Sequence, residues 1–324
     1  MMEGKSIDTM KDAAICAATA FGLDAVAVRS DLNICGSPQR SEFRCVLECS
    51  DQRLVMMEHI LEQVCTKKQA IIDRLDFLAV QGLPNVNPYL RASDGRHLVQ
   101  MEGRLWQASL YVPGIPLDRF RYVFDGWRGK VMADFLIELR KKSQNLPDDL
   151  CTNPFSILDF IKTLLSQIKI REPGLFMKLV PITAFLRERL SHVHDLLPVA
   201  LCHGDYHPLN MIWSDVAIEC VIDWEFSGTK PENYDAATLI GCMGMENPDA
   251  LKGPLVIEFI SSLKDAKILS KMSWLVLVEM IIAIRFGWLS EWLRNQDTEM
   301  IELETVYMNL LMENADTLID LWDY

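Results

Sequence analysis

Between residues 24 and 60 the chain alternates short apolar runs with polar breaks. DAVAVRS, EFRCVLEC and RLVMMEHI are rich in Val, Ile, Phe and Leu, and GSPQRS and SDQ between them carry turn-forming residues. This pattern predicts an antiparallel meander, preceded by a short helix over 9–22 that Gly22 ends. Over 66–80, TKKQAIIDRLDFLAV sets Ile71, Leu75, Leu78 and Ala79 at helical spacing, and Gly82 with Pro84 stops it. HLVQMEG and RLWQASLYV then read as two more strands. Past PGIP at 113–116 the period becomes helical over 128–142, 155–169, 176–194, 254–268, 273–293 and 299–321. One β-like interruption breaks this second part, where MIW and CVIDW are two short strands joined by the turn SDVA. The expected fold is therefore α+β, with a small antiparallel-sheet N-terminal lobe (1–112) and a larger helical C-terminal lobe (113–324). Two lobes joined by a short link imply a cleft, where small-molecule sites tend to lie. The chain has no internal repeat.

Composition narrows the class. Half of the 324 residues are apolar or aromatic and 24% are charged, which suits a globular protein with a substantial core. The formal charge of −13 comes from 45 acidic against 32 basic residues with no long basic run, so nucleic acid is not an expected partner. The acidic balance leans toward a cationic substrate. The first 22 residues lack the basic start and apolar core of a secretory signal, and a cytoplasmic location is expected. Nine cysteines are scattered without a CxxC pair, which argues against a disulfide framework and against a zinc knuckle. The most apolar stretch, WLVLVEMIIAIRFGWL at 274–289, is shorter than the ~20 residues a bilayer needs and contains Glu279 and Arg285. It reads as a buried helix.

The chemistry concentrates in LCHGDYHPLNMIW, 201–213, and in the acid that follows the second short strand. Asp205 and Asn210 sit five apart on a polar loop, and Asp223 is followed by Trp224 and Glu225. Phosphoryl transfer to a hydroxyl requires an oriented hydroxyl, a metal ion held against the phosphates, and stabilisation of the spreading charge. Asp205 can accept the hydroxyl proton. The amide of Asn210 and the carboxylate of Asp223 offer the hard oxygen ligands that Mg²⁺ prefers. A zinc hydrolase reading, with His203, Asp205 and His207 as ligands, leaves Asn210 and Asp223 without a role.

HGDYHPLN followed by VIDWEFSG resembles the paired signature of the aminoglycoside phosphotransferase and choline kinase family, small-molecule relatives of the protein kinases. The family pattern is HGDxxxxN, an apolar run into D-[FW]-E, and later a Pro with a Tyr-Asp-Ala segment, matched by Pro231 and YDAA at 234–237. The resemblance implies a bilobal protein-kinase-like fold that transfers the γ-phosphoryl group of ATP, or of GTP, to a small-molecule hydroxyl. It implies Asp205 as the catalytic base and Asn210 and Asp223 as Mg²⁺ ligands. His203 would brace the loop and Asp235 would anchor it. The same resemblance makes LYVPGIPL, 110–117, the hinge whose Tyr111 and Val112 backbone meets the nucleotide base. Aminoglycosides, choline or ethanolamine, homoserine and sugars are all acceptors consistent with it, held by C-terminal helices that carry Trp274 and, on one face at spacings of three and four, Arg285, Trp288 and Trp292.

One position departs from the pattern. Kinase-like folds place a Lys on the third strand for the nucleotide phosphates, and aligning DQRLVMMEHI on the family's DGRYVLK puts Met57 there. Arg44, Arg53, His59 and Lys67 or Lys68 are the cations that could replace it. The loop NICGSPQRSE, with a single glycine, departs less seriously. A chain without that Lys keeps open a pseudokinase that binds a ligand or partner without transferring phosphate.

Overall fold

The computed structural model describes residues 2–32, 34, 41–119 and 121–322. It divides into two compact units, Met1–Ile115 with Ile212–Glu225, and Pro116–Met211 with Phe226–Tyr324. The loop NICGSPQRSE lies largely outside the described residues.

The first unit contains α1 (Met2–Ala20), β1 (Ala25–Val28), β2 (Ser41–Cys49), β3 (Leu54–Ile60), α2 (Cys65–Val80), β4 (Val99–Met101) and β5 (Arg104–Leu110). The five strands form one antiparallel sheet in the order β1-β2-β3-β5-β4. Strand periodicity sends alternate residues to opposite faces, and the register assigns each face its role. Cys45, Met57 and Ala108 line up across β2, β3 and β5, as do Arg44, Glu58 and Gln107. The first row joins Leu47, Val55 and Trp106 against Ala13, Ala14, Ala17 and Ala18 of α1, whose small side chains let helix and sheet approach closely. The face bearing Glu58 also carries Ile60, which packs on Ile72 of α2.

In the second unit the helices are α3 (Gly126–Lys142), α4 (Ile157–Arg171), α5 (Pro173–Arg189), α6 (Tyr234–Glu246), α7 (Pro254–Ala266), α8 (Lys271–Leu275), α9 (Leu277–Asn295), α10 (Thr298–Glu313) and α11 (Ala315–Trp322). β6 (Val199–Cys202) pairs antiparallel with β9 (Gly228–Pro231). Between them in the chain lies the hairpin of β7 (Met211–Trp213) and β8 (Ile218–Val221).

Three features differ from the sequence expectation. The pair β6–β9 is a second β element in a region where one was foreseen. Helix α6 was not foreseen because it is enclosed nearly all round: Tyr234 to Gly241, Met243 and Gly244 are buried, so no polar face marks its period. The segments 273–293 and 299–321 each break into two helices, the first between α8, capped by Ser270, and α9.

The apolar stretch forms most of α9, whose buried Ile, Leu and Phe side chains are worth about 1.5–3 kcal/mol each. Its two enclosed charges find partners on neighbouring helices, Glu279 with Arg189 at 2.7 Å and Arg285 with Glu304 at 2.7 Å. Among the described residues no helix is long and apolar enough to cross a membrane, and the eight described cysteines form no disulfide.

Candidate active site

The loop that follows β6 owes its shape to a glycine and a buried acid. Gly204 has φ +85°, and a Cβ there would run into the carbonyl oxygen of Phe226. Only glycine meets both conditions. Asp235, in the first turn of α6, accepts hydrogen bonds from the amides of His203 (2.7 Å) and Gly204 (2.8 Å), and a carboxylate at a helix N-terminus is favoured by the helix dipole. Burial pushes the Asp235 carboxyl above the ordinary carboxylate range, opposed by His203, by those two amides and by Lys230. His203 is fully enclosed, and its Nδ1 accepts the Asp205 amide at 3.3 Å. Tyr206 stacks on Phe135 with ring centroids 5.8 Å apart and donates its hydroxyl to the Met132 carbonyl, tying the loop to α3.

These anchors leave Asp205 among polar partners. Asn210 Nδ2 donates to Asp205 Oδ2 at 2.9 Å and to the Asp205 carbonyl at 2.9 Å, and His207 Nε2 lies 3.4 Å from Oδ1. Burial by itself would raise the Asp205 carboxyl. The His207 hydrogen bond, the charges of His207 and His203 and the Asn210 amide outweigh it, and the group sits below the usual carboxylate value. An ionised carboxylate beside a histidine can accept a proton from a nearby hydroxyl. With its nitrogen turned to Asp205, Asn210 has its amide oxygen left as the atom able to ligate a hard cation, so the residue fits that role.

Asp223 belongs to the first unit. It follows β8 in the left-handed conformation, φ +62°, which few non-glycine residues adopt and which is often found at functional sites. Trp224 closes the turn behind it with a hydrogen bond from Nε1 to the Val221 carbonyl at 3.0 Å. Glu225 pairs with Lys68 Nζ at 2.5 Å, and the Lys68 ammonium lies 5.3 Å from the centre of the Tyr89 ring. Burial would lower Lys68, but Tyr89, Glu225 and Glu58 together carry it above the ordinary lysine value.

The third-strand position is settled by register. Met57 is fully buried in the apolar face beneath α1. Its neighbour Glu58 faces the other way, paired with Arg44 at 2.5 Å and accepting from Gln107 Nε2. Of the cations that could replace the missing base, Arg53 pairs with Asp51 at an exposed turn and His59 with Glu42. Lys67 is exposed. Lys68 is the one held between Glu225 and Tyr89. At the expected hinge, the Tyr111 amide donates to the Leu54 carbonyl at 2.9 Å, which extends the β3–β5 pairing by one residue.

A cavity of about 340 Å³ in the second unit is lined by His207 and Leu209 from the loop, by Met243 and Glu246 of α6 and by Trp288 of α9 and Met300 of α10. Arg285 and Trp292, singled out on one helix face, also line it. Trp274 packs instead against Lys264, whose ammonium lies 5.3 Å from its ring centre. The α6 residues were missed because burial on all sides hides that helix's period, and Met300 because a methionine on a helix does not by itself mark a site. Among the described residues no cluster of three or more His, Cys, Asp or Glu could hold a metal ion, and His203 already accepts the Asp205 amide, which removes support for the zinc reading.

Residues 47–262, well over half of the chain, match the model of the APH phosphotransferase enzyme family. The chain belongs to this family. No curated protein matches it in sequence. Among solved structures this family member resembles a microcompartment-associated aminopropanol kinase (TM-score 0.68, 15% identity, 94% of this chain and 98% of that one). It also resembles a spectinomycin phosphotransferase in complex with ADP and spectinomycin (TM-score 0.65, 12% identity, 95% and 98%). A third is an amicoumacin kinase in complex with AMP-PNP, Ca²⁺ and Ami (TM-score 0.64, 12% identity, 96% and 96%). At these identities the likeness establishes the α+β kinase-like fold.

Proposed function

We propose that this protein is a small-molecule kinase, transferring the γ-phosphoryl group of ATP or GTP to an alcohol. The observation that carries the reading is the constellation of Asp205, His207 and Asn210, held by Gly204 and Asp235 beside a cavity of small-molecule size. The nucleotide complexes of two similar structures support it.

In this reading Asp205 takes the acceptor's hydroxyl proton as the acceptor oxygen forms a bond to the γ-phosphorus. The bond from that phosphorus to the β–γ bridging oxygen breaks, and the nucleoside diphosphate leaves with the electron pair. His207 and Asn210 hold the Asp205 carboxylate in place and keep it ionised. Asn210 and Asp223 are assigned as oxygen ligands of Mg²⁺, which when bound supplies positive charge to the phosphates. Lys68 is assigned as the cation that stands in for the missing third-strand base. With the Tyr111 amide committed to Leu54, the Tyr111 carbonyl and the Val112 amide are the hinge groups assigned to the nucleotide base. The protein would act in the cytoplasm on a soluble substrate.

The test is thermal stabilisation by ATP and GTP, each with and without Mg²⁺, on the native protein, Asp205→Ala and Asp223→Ala. Ligand binding to the folded form raises the melting temperature. A Mg²⁺-dependent shift lost in Asp223→Ala supports the assignments. The burial of Met57 and the acid at Glu58 favour a second reading, a pseudokinase, and the absence of any nucleotide-dependent shift would decide for it.

A further inference from the structure

We infer that the cavity beside His207 takes an uncharged alcohol with a flat, apolar body, and that amino alcohols and aminoglycosides are disfavoured there. The inference rests on the phosphotransfer reading and narrows its acceptor class. His207 both lines the cavity and contacts Asp205, so an occupant can present its hydroxyl to the carboxylate.

Aromatic rings and thioethers make up much of the wall. Trp288 and Trp292 stack with centroids 6.1 Å apart, and the His207 ring lies 5.9 Å from Trp288. Met243, Met245, Met300 and Leu303 add polarisable and aliphatic groups that mould to an apolar body, and Arg119, Tyr122 and Glu246 bring polar groups to the lining.

The charges are already spent on one another. Arg285 and Glu304 are both enclosed and form a two-pronged pair, and Trp292 Nε1 donates to the same carboxylate at 3.2 Å. The Arg285 guanidinium lies 5.4 Å from the centre of the Trp288 ring. An aromatic wall that would otherwise attract a substrate ammonium is therefore already occupied by the protein's own cation. Glu246 is paired with Arg119, and Glu304 has no exposed surface for a ligand. A cationic acceptor would lose its hydration and, apart from the carboxylate meant to accept the hydroxyl proton, would meet only Glu246, already paired with Arg119. The lining, more than the overall charge of −13, governs what binds.

A matched pair tests this on the full chain. Phenylpropanol and phenylalaninol share an aromatic body and a primary hydroxyl, and the second adds an ammonium. Titration calorimetry is expected to give phenylpropanol a dissociation constant about fivefold lower. Trp288→Ala should abolish that binding, and Met300→Glu, which adds an acid to the lining, should shift the preference toward phenylalaninol even if Trp288→Ala fails to fold. Phenylalaninol binding as tightly as phenylpropanol, neither compound binding, or Met300→Glu leaving the ratio unchanged would each overturn the inference. Phosphate transfer from ATP is followed separately on both compounds, kanamycin and choline. Selective binding of phenylpropanol without transfer would sink the phosphotransfer reading and leave the inference about the cavity standing. Transfer confined to phenylalaninol, kanamycin or choline would retire the inference and leave phosphotransfer intact.

Discussion

The two units carry their chemistry in different ways. In the second unit, Asp205, His207 and Asn210 lie on one short loop, anchored by Asp235 in the first turn of α6 and by Tyr206 against α3. In the first unit the charged groups come from distant segments: Arg44 from β2, Glu58 from β3, Lys68 from α2 and Glu225 from beyond β8. The loop keeps the HGDxxxxN part of the family pattern. The sheet has Met57 where the resemblance expects a base, and a buried lysine lies on α2. A function borne by one compact loop is hard to rearrange, whereas a cation delivered across a sheet can move to another element as long as it reaches the same region.

The largest test of this contrast is Asp205→Asn, which should lower kcat by about 10³-fold while leaving the nucleotide-induced melting shift in place. An equal loss of binding would mean that the loop is structural. Met57→Lys, which restores the family residue on paper, should instead destabilise the protein by about 4 kcal/mol, because an ammonium would be buried among Leu47, Val55 and Trp106. Denaturant unfolding measures it, and a neutral or activating result would break the comparison. Gly204→Ala should cost about 3 kcal/mol, from positive φ and from the clash with Phe226, with kcat falling in step.

Replacing Lys68 and Glu225 together, by Met and Gln, avoids leaving one buried charge unpaired. That double variant should raise the KM for ATP about tenfold, equivalent to ~1.4 kcal/mol, with the acceptor KM unchanged. An unchanged ATP KM would show that another cation serves the phosphates. The smallest effect concerns pH. Because the Asp205 carboxyl is depressed in the folded protein, its contribution to stability is full above about pH 4, the unfolded value, and is lost as pH falls through the lower folded value. Asp205→Asn should flatten that part of the curve of melting temperature against pH.

Much of the fold was legible because strand alternation and helical periodicity are local. The five-stranded sheet, α2 and most of the later helices follow from spacing and turn residues. Helix α6 escaped because burial on all sides erases amphipathic contrast. Asp235 was named as the loop's anchor from its motif, and its two hydrogen bonds to the amides of 203 and 204 bear that reading out. At Tyr111 the motif pointed to a hinge, and only strand pairing revealed that its amide already serves the sheet.

What the residues alone determined was which groups the loop carries and how closely they follow one another. A carboxylate, a histidine and an amide within six positions can be brought together by one turn, and the glycine that permits the turn is adjacent to the acid. What only the tertiary structure decided was which way Met57 and Glu58 face, which cation lies beside Glu225, and that Arg285 neutralises Glu304 against a tryptophan wall. Those outcomes depend on strand register and on helices far apart in the chain, where a shift of one residue reverses the direction of a side chain.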